Sequence, residues 1–180
     1  MHVVNVVSSG QLGRELDLPE LASALSDLSA DAEYHPETFP GLTIRFDSSN
    51  YIIVVYSSGS YVIMGASSEE EVTNAYERFL RILDKLDIET KPEEPTVANL
   101  ICKENLEIEI DLNALVLKLG FENAEYEPET SPFVYYWPDG FDCLITIPSN
   151  GEVIVTGVTD ESVAERAIDE LRGLIDDPSF

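Results

Sequence analysis

Short apolar runs and longer amphipathic stripes alternate along this chain. Runs of four to six residues rich in Val, Ile and Tyr predict strands, and eight are found: Val3–Val7, Leu42–Phe46, Tyr51–Tyr56, Tyr61–Met64, Val97–Cys102, Val134–Trp137, Cys143–Ile147 and Val153–Thr156. Apolar residues at helical spacing predict four helices, with stripes at Leu21–Leu28, Glu69–Leu86, Leu112–Leu119 and Ser162–Ile175. Asp17 and Asp111 are the predicted N-caps of the first and third helices, and Gly120 ends the third.

The order of these elements repeats once. The stretch Ala32–Pro40, AEYHPETFP, recurs as Ala124–Pro132, AEYEPETSP, with seven of nine positions identical. The offset is 92 residues from this motif onward and 94 upstream of it, where Asn5 corresponds to Asn99. A long unit present twice indicates a duplicated half-domain rather than a solenoid. We therefore predict a first repeat over residues 1–88, a linker over 89–96 and a second repeat over 97–180.

One predicted strand is apolar on both of its faces. In Tyr51–Tyr56, YIIVVY, no polar residue alternates with the apolar ones. Helices that follow this order can cover only one face of an antiparallel sheet. The other face is then either a binding surface or is buried by folding the two repeats face to face. The sequence pattern leaves both alternatives open.

Charge is the strongest feature of the composition. Thirty-five acidic residues against ten basic ones give a net charge of −25, and the acids are dispersed along the chain. Dispersed acid on an apolar-rich chain favours the solvated surface of a halophile over an acidic mimic of nucleic acid. The two cysteines, Cys102 and Cys143, are expected to be unpaired thiols in a reducing cytoplasm. No run of apolar residues is long enough to predict a membrane span.

Enzymatic chemistry finds no support in the sequence. The two histidines, His2 and His35, have no metal-ligand or nucleophile spacing around them, and no phosphate-binding glycine loop is present. The many carboxylates are interpreted as solvated surface. We therefore predict no enzyme activity, no metal and no cofactor.

The repeated segments resemble the TATA-binding protein family of archaea and eukaryotes over nearly the whole chain. The resemblance is carried by Asn5–Val7 (NVV), Leu12–Leu18 (LGRELDL), Ala32–Leu42 (AEYHPETFPGL), Ser58–Gly59, Gly65–Ala66 and Ala124–Thr130 (AEYEPET). It implies an α+β saddle in which two pseudo-symmetric repeats form a curved antiparallel sheet of about ten strands, with four helices on the convex face. Minor-groove binding and a DNA kink of about 80° are known properties of the family and do not follow from the residues themselves.

The resemblance also implies roles for ten residues. Asn5 and Val7 match a base-contacting amide and its apolar neighbour, and Arg45 matches a phosphate-contacting arginine. Phe39 matches a residue that wedges between base steps, and Tyr56 replaces the usual second phenylalanine of that wedge. Asn99 matches a second base-contacting amide. The other positions match the apolar surface that lies against the bases, which we call the floor: Val62, Ile101, Ile154 and Thr156. The alternative is that Phe39 and Tyr56 are ordinary core aromatics.

The second repeat departs from the family pattern at its wedge and phosphate positions. Ser131 and Pro148 stand where wedge residues are expected, and Trp137 stands where an arginine is expected. Phe133 follows close by, and either Phe133 or Trp137 is an alternative, shifted wedge. The loop at Glu127 and beyond matches the family's contact with transcription factor B, but its tip is changed. DNA contacts and that docking are therefore both expected to be weakened in this repeat.

The sequence thus predicts a transcription factor that binds A/T-rich promoters through the minor groove, in the cytoplasm and associated with the nucleoid. The alternative is a saddle that has lost DNA binding and uses its apolar underside for protein contact or for a homodimer. A basic underside would favour the first hypothesis, and an acidic or self-buried one the second. No membrane partner is expected.

Overall fold

The structure is a computed structural model that describes residues 1–26, 31–46 and 49–176. These residues form ten strands: β1 (His2–Gln11), β2 (Asp31–Tyr34), β3 (Leu42–Arg45), β4 (Ile52–Val55), β5 (Ser60–Ala66), β6 (Thr96–Asn105), β7 (Ala124–Glu125), β8 (Phe133–Tyr136), β9 (Leu144–Pro148) and β10 (Glu152–Val158). They also form four helices: α1 (Leu18–Ser26), α2 (Glu69–Lys85), α3 (Leu112–Leu119) and α4 (Glu161–Asp176).

The chain divides into two compact units. We call Asn5–Ala98 the N-terminal unit, and Asn99–Phe180 together with Met1–Val4 the C-terminal unit. In the N-terminal unit the strand order is β2-β3-β4-β5-β1, and in the C-terminal unit it is β7-β8-β9-β10-β6. All recorded ladders within the units are antiparallel. β3 and β8 are second in their orders, so the predicted equivalence of these two strands is confirmed.

Each unit has one core, which lies between its strands and its helices. Side chains alternate along a strand, so one set points to the helices. In the N-terminal unit this set includes Ile44, Ile53 and Ile63, which are fully buried, and α2 packs against β5. In the C-terminal unit Val134 and Ile145 are fully buried, and α3 and α4 pack against β8 and β10.

Helix ends follow the predicted caps. The Asp17 carboxylate accepts a hydrogen bond from the Glu20 N–H at 3.0 Å, and the Asp111 carboxylate accepts from Asn113 and Ala114 at 3.0 and 3.2 Å. Gly120 ends α3 with a φ of 83°, which an L side chain would adopt only with strain. The apolar stripes face the core as predicted, except that Leu28 lies outside the described residues.

Three features differ from the sequence predictions. β1 and β6 are ten residues long, because backbone pairing continues through small and polar residues beyond the apolar runs. The strand predicted over Tyr61–Met64 was expected to stop before Gly65, which is wrong: Gly65 lies within β5, at a bulge that keeps the strand paired with β1. β2 and β7 were not predicted from the apolar pattern, because they are short edge strands with alternating polar residues.

Candidate nucleic-acid interface

The face of the strands opposite the helices is half-exposed in each unit, and we call it the open face. In the N-terminal unit, the strand residues proposed for DNA contact all lie on it, because each alternates with a buried neighbour: Asn5, Val7, Arg45 and Val62. Tyr56 lies directly after β4 and, because side chains alternate between the two faces, on the same face as Ile52 and Val54. In the C-terminal unit the open face carries Asn99, Ile101, Ile154 and Thr156. The exposure of these residues favours a binding surface over a buried one.

A β-bulge fixes the amide of Asn5. The register between β1 and β5 shifts between Val6 and Ser8, which leaves the backbone N–H of Gly65 outside the strand ladder. That N–H donates to the Asn5 Oδ1 at 2.9 Å. Since a backbone N–H needs an acceptor, the carboxamide oxygen must point inward. The Nδ2 hydrogens are then left as donors, and no protein partner for them is found within residues 1–26, 31–46 and 49–176.

The C-terminal unit repeats this arrangement. The register between β6 and β10 shifts between Thr156 and Val158, and the Gly157 N–H donates to the Asn99 Oδ1 at 2.9 Å. Thr156 lies opposite Ile101. An amide donor therefore stands beside apolar surface in each unit, which is the combination that the acceptor-only minor-groove edge of A·T pairs can bind.

Phe39 and Tyr56 form an aromatic pair on the open face of the N-terminal unit. Their ring centroids lie 6.2 Å apart at an interplanar angle of 60°, and the Phe39 side chain is 41% exposed. A Cβ on Gly41 would lie 2.8 Å from the Phe39 ring and 2.7 Å from Val54, so glycine lets the ring pack close to the strand. The alternative that Phe39 is an ordinary core aromatic does not fit this exposure.

Arg45 does not present an unpaired guanidinium. Its Nη1 donates to a carboxylate oxygen of Glu33 on the neighbouring strand at 2.6 Å, and both side chains are about half exposed. Asp31 lies directly opposite Arg45 in the same ladder. The phosphate-contacting residue implied by the family resemblance is thus surrounded by acid.

Lys103 is in the same situation in the C-terminal unit. Its ammonium group lies 3.0 Å from a carboxylate oxygen of Glu152 on β10, again between half-exposed side chains. The described strands contain one arginine, Arg45, and one lysine, Lys103. Both cations therefore have a carboxylate partner within the protein.

The wedge positions of the C-terminal unit are arranged differently from those of the N-terminal unit. The Ser131 hydroxyl lies 3.1 Å from the Tyr135 hydroxyl and accepts from the Phe133 N–H at 3.3 Å. Phe133 pairs with Pro148 across the β8–β9 ladder. Phe133 and Trp137 are 36% and 46% exposed, so exposed aromatic rings stand at the start of β8 and directly after its end.

Groups that could support metal or thiol chemistry are not assembled in the described part of the chain. No cluster of three His, Cys, Asp or Glu side chains suitable for a metal ion is present there. Cys102 and Cys143 are buried thiols, and burial raises the pKa of each. No helix within the described ranges is long and apolar enough to cross a membrane.

Comparison with known proteins identifies the family. The family described as "Transcription factor TFIID (or TATA-binding protein, TBP)" matches residues 1–86 and 94–177. The chain belongs to the TATA-binding protein family. Its α+β fold of ten antiparallel strands and four helices resembles the solved Methanococcus jannaschii TBP with a TM-score of 0.83 and 32% identity, covering 97% of each chain.

Similar sequences come largely from salt-loving archaea. TATA-box-binding protein C of Halobacterium salinarum is 36% identical over 93% of this chain and 92% of its own length. The TATA-box-binding protein of Archaeoglobus fulgidus is 32% identical over 94% of this chain and 91% of its own. The predicted fold class is confirmed by the likeness to the solved TBP structure. The members of this family are transcription factors that bind DNA in initiation and are not enzymes, so the prediction that this protein is not an enzyme is also confirmed.

Sequence reasoning missed the two carboxylates that pair with the open-face cations. Glu33 is an ordinary member of a chain with thirty-five acidic residues, and nothing in its local sequence distinguishes it, whereas Glu152 stands after a hairpin turn where the family resemblance implies a lysine. A correct prediction of β2 would have placed Asp31 opposite Arg45 and Glu33 two residues further along the same strand, on the same face as Arg45. The Glu33–Arg45 pairing thus depended on an edge strand that apolar patterning does not predict.

Proposed function

We propose that this protein binds the minor groove of A/T-rich duplex DNA through the open faces of its two units. The observation that carries the proposal is the pair of Asn5 and Asn99 amides, each held through its oxygen by a bulge N–H so that its Nδ2 donors are left for a ligand. Adenine N3 and thymine O2 accept such donors, whereas the N2 amino group of guanine would oppose them. The apolar neighbours Val7, Val62, Ile101 and Ile154, with Thr156, would form the floor.

The N-terminal unit would make the stronger contact. It holds the exposed Phe39 ring against Tyr56, and it also has Arg45. A wedge between base steps offsets part of the unstacking free energy of a kink. In the C-terminal unit Ser131, Pro148 and Trp137 occupy the corresponding wedge and phosphate positions. We therefore expect one kink beside Phe39 and weaker DNA contact by the C-terminal unit; a second kink would instead indicate that Phe133 or Trp137 acts as a shifted wedge.

A substitution that inverts the hydrogen-bonding character of Asn5 tests this function. Asn5→Asp keeps an oxygen for the Gly65 N–H but replaces the Nδ2 donors with a second acceptor. We expect the fold to be retained and the affinity for an A/T-rich duplex to fall by about 1–3 kcal/mol. Binding should be measured with A/T-rich and G/C-rich duplexes in about 1 M potassium chloride, where charge repulsion is strongly screened.

Asn74→Asp is a control with the same change on an exposed residue of α2, away from the open face. Retained A/T preference in Asn5→Asp would contradict the proposed role of the amide. Absence of binding by the wild-type chain to either duplex, with its fold intact, would contradict the function itself.

The wider role would be promoter recognition in transcription initiation or its regulation. Under this proposal the protein works in the cytoplasm at the nucleoid, in a salt-adapted cell. The repeats at residues 1–88 and 97–180, with the linker at 89–96, would each supply one half of the DNA contact. A factor resembling transcription factor B would dock at the loop after β7, where Glu127 and Glu129 are exposed. The tip of this loop, from Ser131 to Trp137, differs from the family pattern, and we expect the difference to weaken that docking.

A second function is favoured by the charge of the open faces. The strands carry Asp31, Glu33, Glu125 and Glu152 on these faces against Arg45 and Lys103, and both cations are paired. An acidic, partly apolar surface suits a basic protein partner or a homodimer better than it suits DNA at low salt. Loss of DNA binding together with a concentration-dependent change in mass, measured by sedimentation, would support this alternative.

A further inference from the structure

We infer that Glu33 and Glu152 compete with DNA phosphates for Arg45 and Lys103, and so set the affinity and the salt response of DNA binding. The inference rests on the proposed function and adds two residues that the family resemblance does not assign. It makes the two glutamates positioning residues for the phosphate contact, since each acts through a neighbouring cation.

The two ion pairs share one local geometry. In the ladder of β2 and β3, Glu33 lies opposite Thr43, two residues from Arg45, so that it reaches the guanidinium diagonally. In the ladder of β6 and β10, Glu152 lies opposite Asn105, two residues from Lys103. Side chains two apart on one strand share a face, which places both pairs on the open faces.

Duplication does not explain this similarity. At the offset of 92 residues the counterpart of Arg45 is Trp137, and at the offset of 94 the counterpart of Lys103 is Ser9. The counterpart of Glu152 is Ser60, which is also uncharged. Each unit therefore pairs a different cation on a different strand, yet both cations have a glutamate partner.

Stability is a poor explanation for these pairs. Both lie between half-exposed side chains, and exposed ion pairs contribute little net stability because water and salt screen them. A bound polyanion changes the situation. The phosphate must either displace the glutamate from the cation or accept a carboxylate beside itself, and the carboxylate then requires a counter-cation from solution. Uptake of that cation opposes the counterion release that normally makes DNA binding weaken with salt.

Neutralising either glutamate should therefore strengthen binding mainly at lower salt. For Glu33→Gln and for Glu152→Gln we expect the slope of log K against log salt to become steeper by about one unit, the value for one additional phosphate contact. Affinity for an A/T-rich duplex should rise about tenfold at ~0.2 M potassium chloride and less than about twofold at ~2 M, where the screening length is only a few Å.

The chain offers a matched control. Glu77 pairs with Arg81 on α2 at 3.8 Å, so Glu77→Gln removes the same charge from a glutamate–arginine pair that lies away from the open face. Its slope should equal that of the wild type. Circular dichroism at each salt concentration should show that all variants are folded, and affinities are compared only over the salt range in which they are.

The role of Arg45 is tested by repeating Glu33→Gln in an Arg45→Gln background. Competition acts through Arg45, so the gain should fall to less than about half there. An unchanged gain would show plain repulsion of DNA by Glu33 and would overturn the inference. Equal slopes for the wild type, Glu33→Gln, Glu152→Gln and Glu77→Gln would also overturn it while leaving DNA binding established. If the folded wild type and variants bind no DNA, the proposed function and this inference both fail.

Discussion

The backbone N–H of Gly65 donates to the Asn5 carboxamide oxygen at 2.9 Å, and this contact ties the orientation of a side chain to a bulge in the neighbouring strand. The Gly157–Asn99 contact has the same length in the other unit. The oxygen thereby serves the fold, because it satisfies an N–H that the bulge removes from the ladder. Only the nitrogen is left to serve recognition.

The bulge glycines provide a test of this coupling. Gly65 has a φ of 87°, and an added Cβ would lie 2.6 Å from the Asn50 carbonyl oxygen; Gly157 has a φ of 98°, and its Cβ would lie 3.3 Å from the Asp142 carbonyl oxygen. We expect Gly157→Ala to cost about 1–3 kcal/mol of unfolding free energy from backbone strain, and Gly65→Ala to cost more because of the added clash. Denaturant unfolding in molar potassium chloride measures both.

Gly173 in α4 is the control for these substitutions. A Cβ there would meet nothing within 4 Å, and the residue lies inside the helix. Gly173→Ala should stabilise the protein by about 0.5–1 kcal/mol, because alanine loses less backbone freedom in a helix. Equal effects at Gly65 and Gly173 would mean that the bulge does not constrain the backbone.

Phe39→Ala should separate recognition from stability. The ring is 41% exposed, so its removal should cost about 1 kcal/mol of unfolding free energy, less than a buried phenylalanine would. DNA binding should lose about 1–3 kcal/mol, the scale of one base–aromatic contact, and the bend angle should decrease. Phe121→Ala, which removes a 73% exposed ring, is the control and should leave DNA binding unchanged. Unchanged binding in Phe39→Ala would favour the protein-contact alternative.

Ser131 tests the asymmetry between the units. Ser131→Phe should increase the affinity and bend angle by restoring an aromatic ring at the wedge position, provided that Phe133 and Pro148 leave room for it. Ser131→Ala should be nearly silent in DNA binding, since it removes only contacts within the protein, to the Tyr135 hydroxyl and the Phe133 N–H. A loss of binding in Ser131→Ala would show that the serine itself contacts DNA.

The buried thiols report whether folding requires salt. Burial raises the pKa of Cys102 and Cys143, so at pH 8 the folded protein carries less thiolate than the unfolded chain, whose thiols ionise near pH 8.5. The free energy of unfolding therefore decreases as pH rises above about 8.5, because the unfolded chain then releases thiol protons that the folded protein retains. Labelling by a thiol reagent should be slow in molar potassium chloride and fast at low salt, because a net charge of −25 is then unscreened. Equally slow labelling at low salt would show that the fold needs no salt.

The sequence by itself determined the helices, most of the strands and the duplication. These features depend on local patterns: apolar spacing, the Asp17 and Asp111 caps and a motif repeated in order. The family resemblance then placed Asn5, Phe39 and Arg45 at functional positions. All three are on or beside the open face, although their contacts with DNA are still a prediction.

Tertiary structure decided which partners these side chains have. Gly65 fell outside the strand predicted over Tyr61–Met64, because a bulge can be recognised only when the register of the neighbouring strand is known. Arg45 looked like an unpaired phosphate ligand, because Glu33 lies twelve residues away in sequence and meets it only across the β2–β3 ladder. Spacing along one strand follows from the chain itself, but contacts across strands depend on register, which is set by the geometry of the connecting turn and by which face is buried.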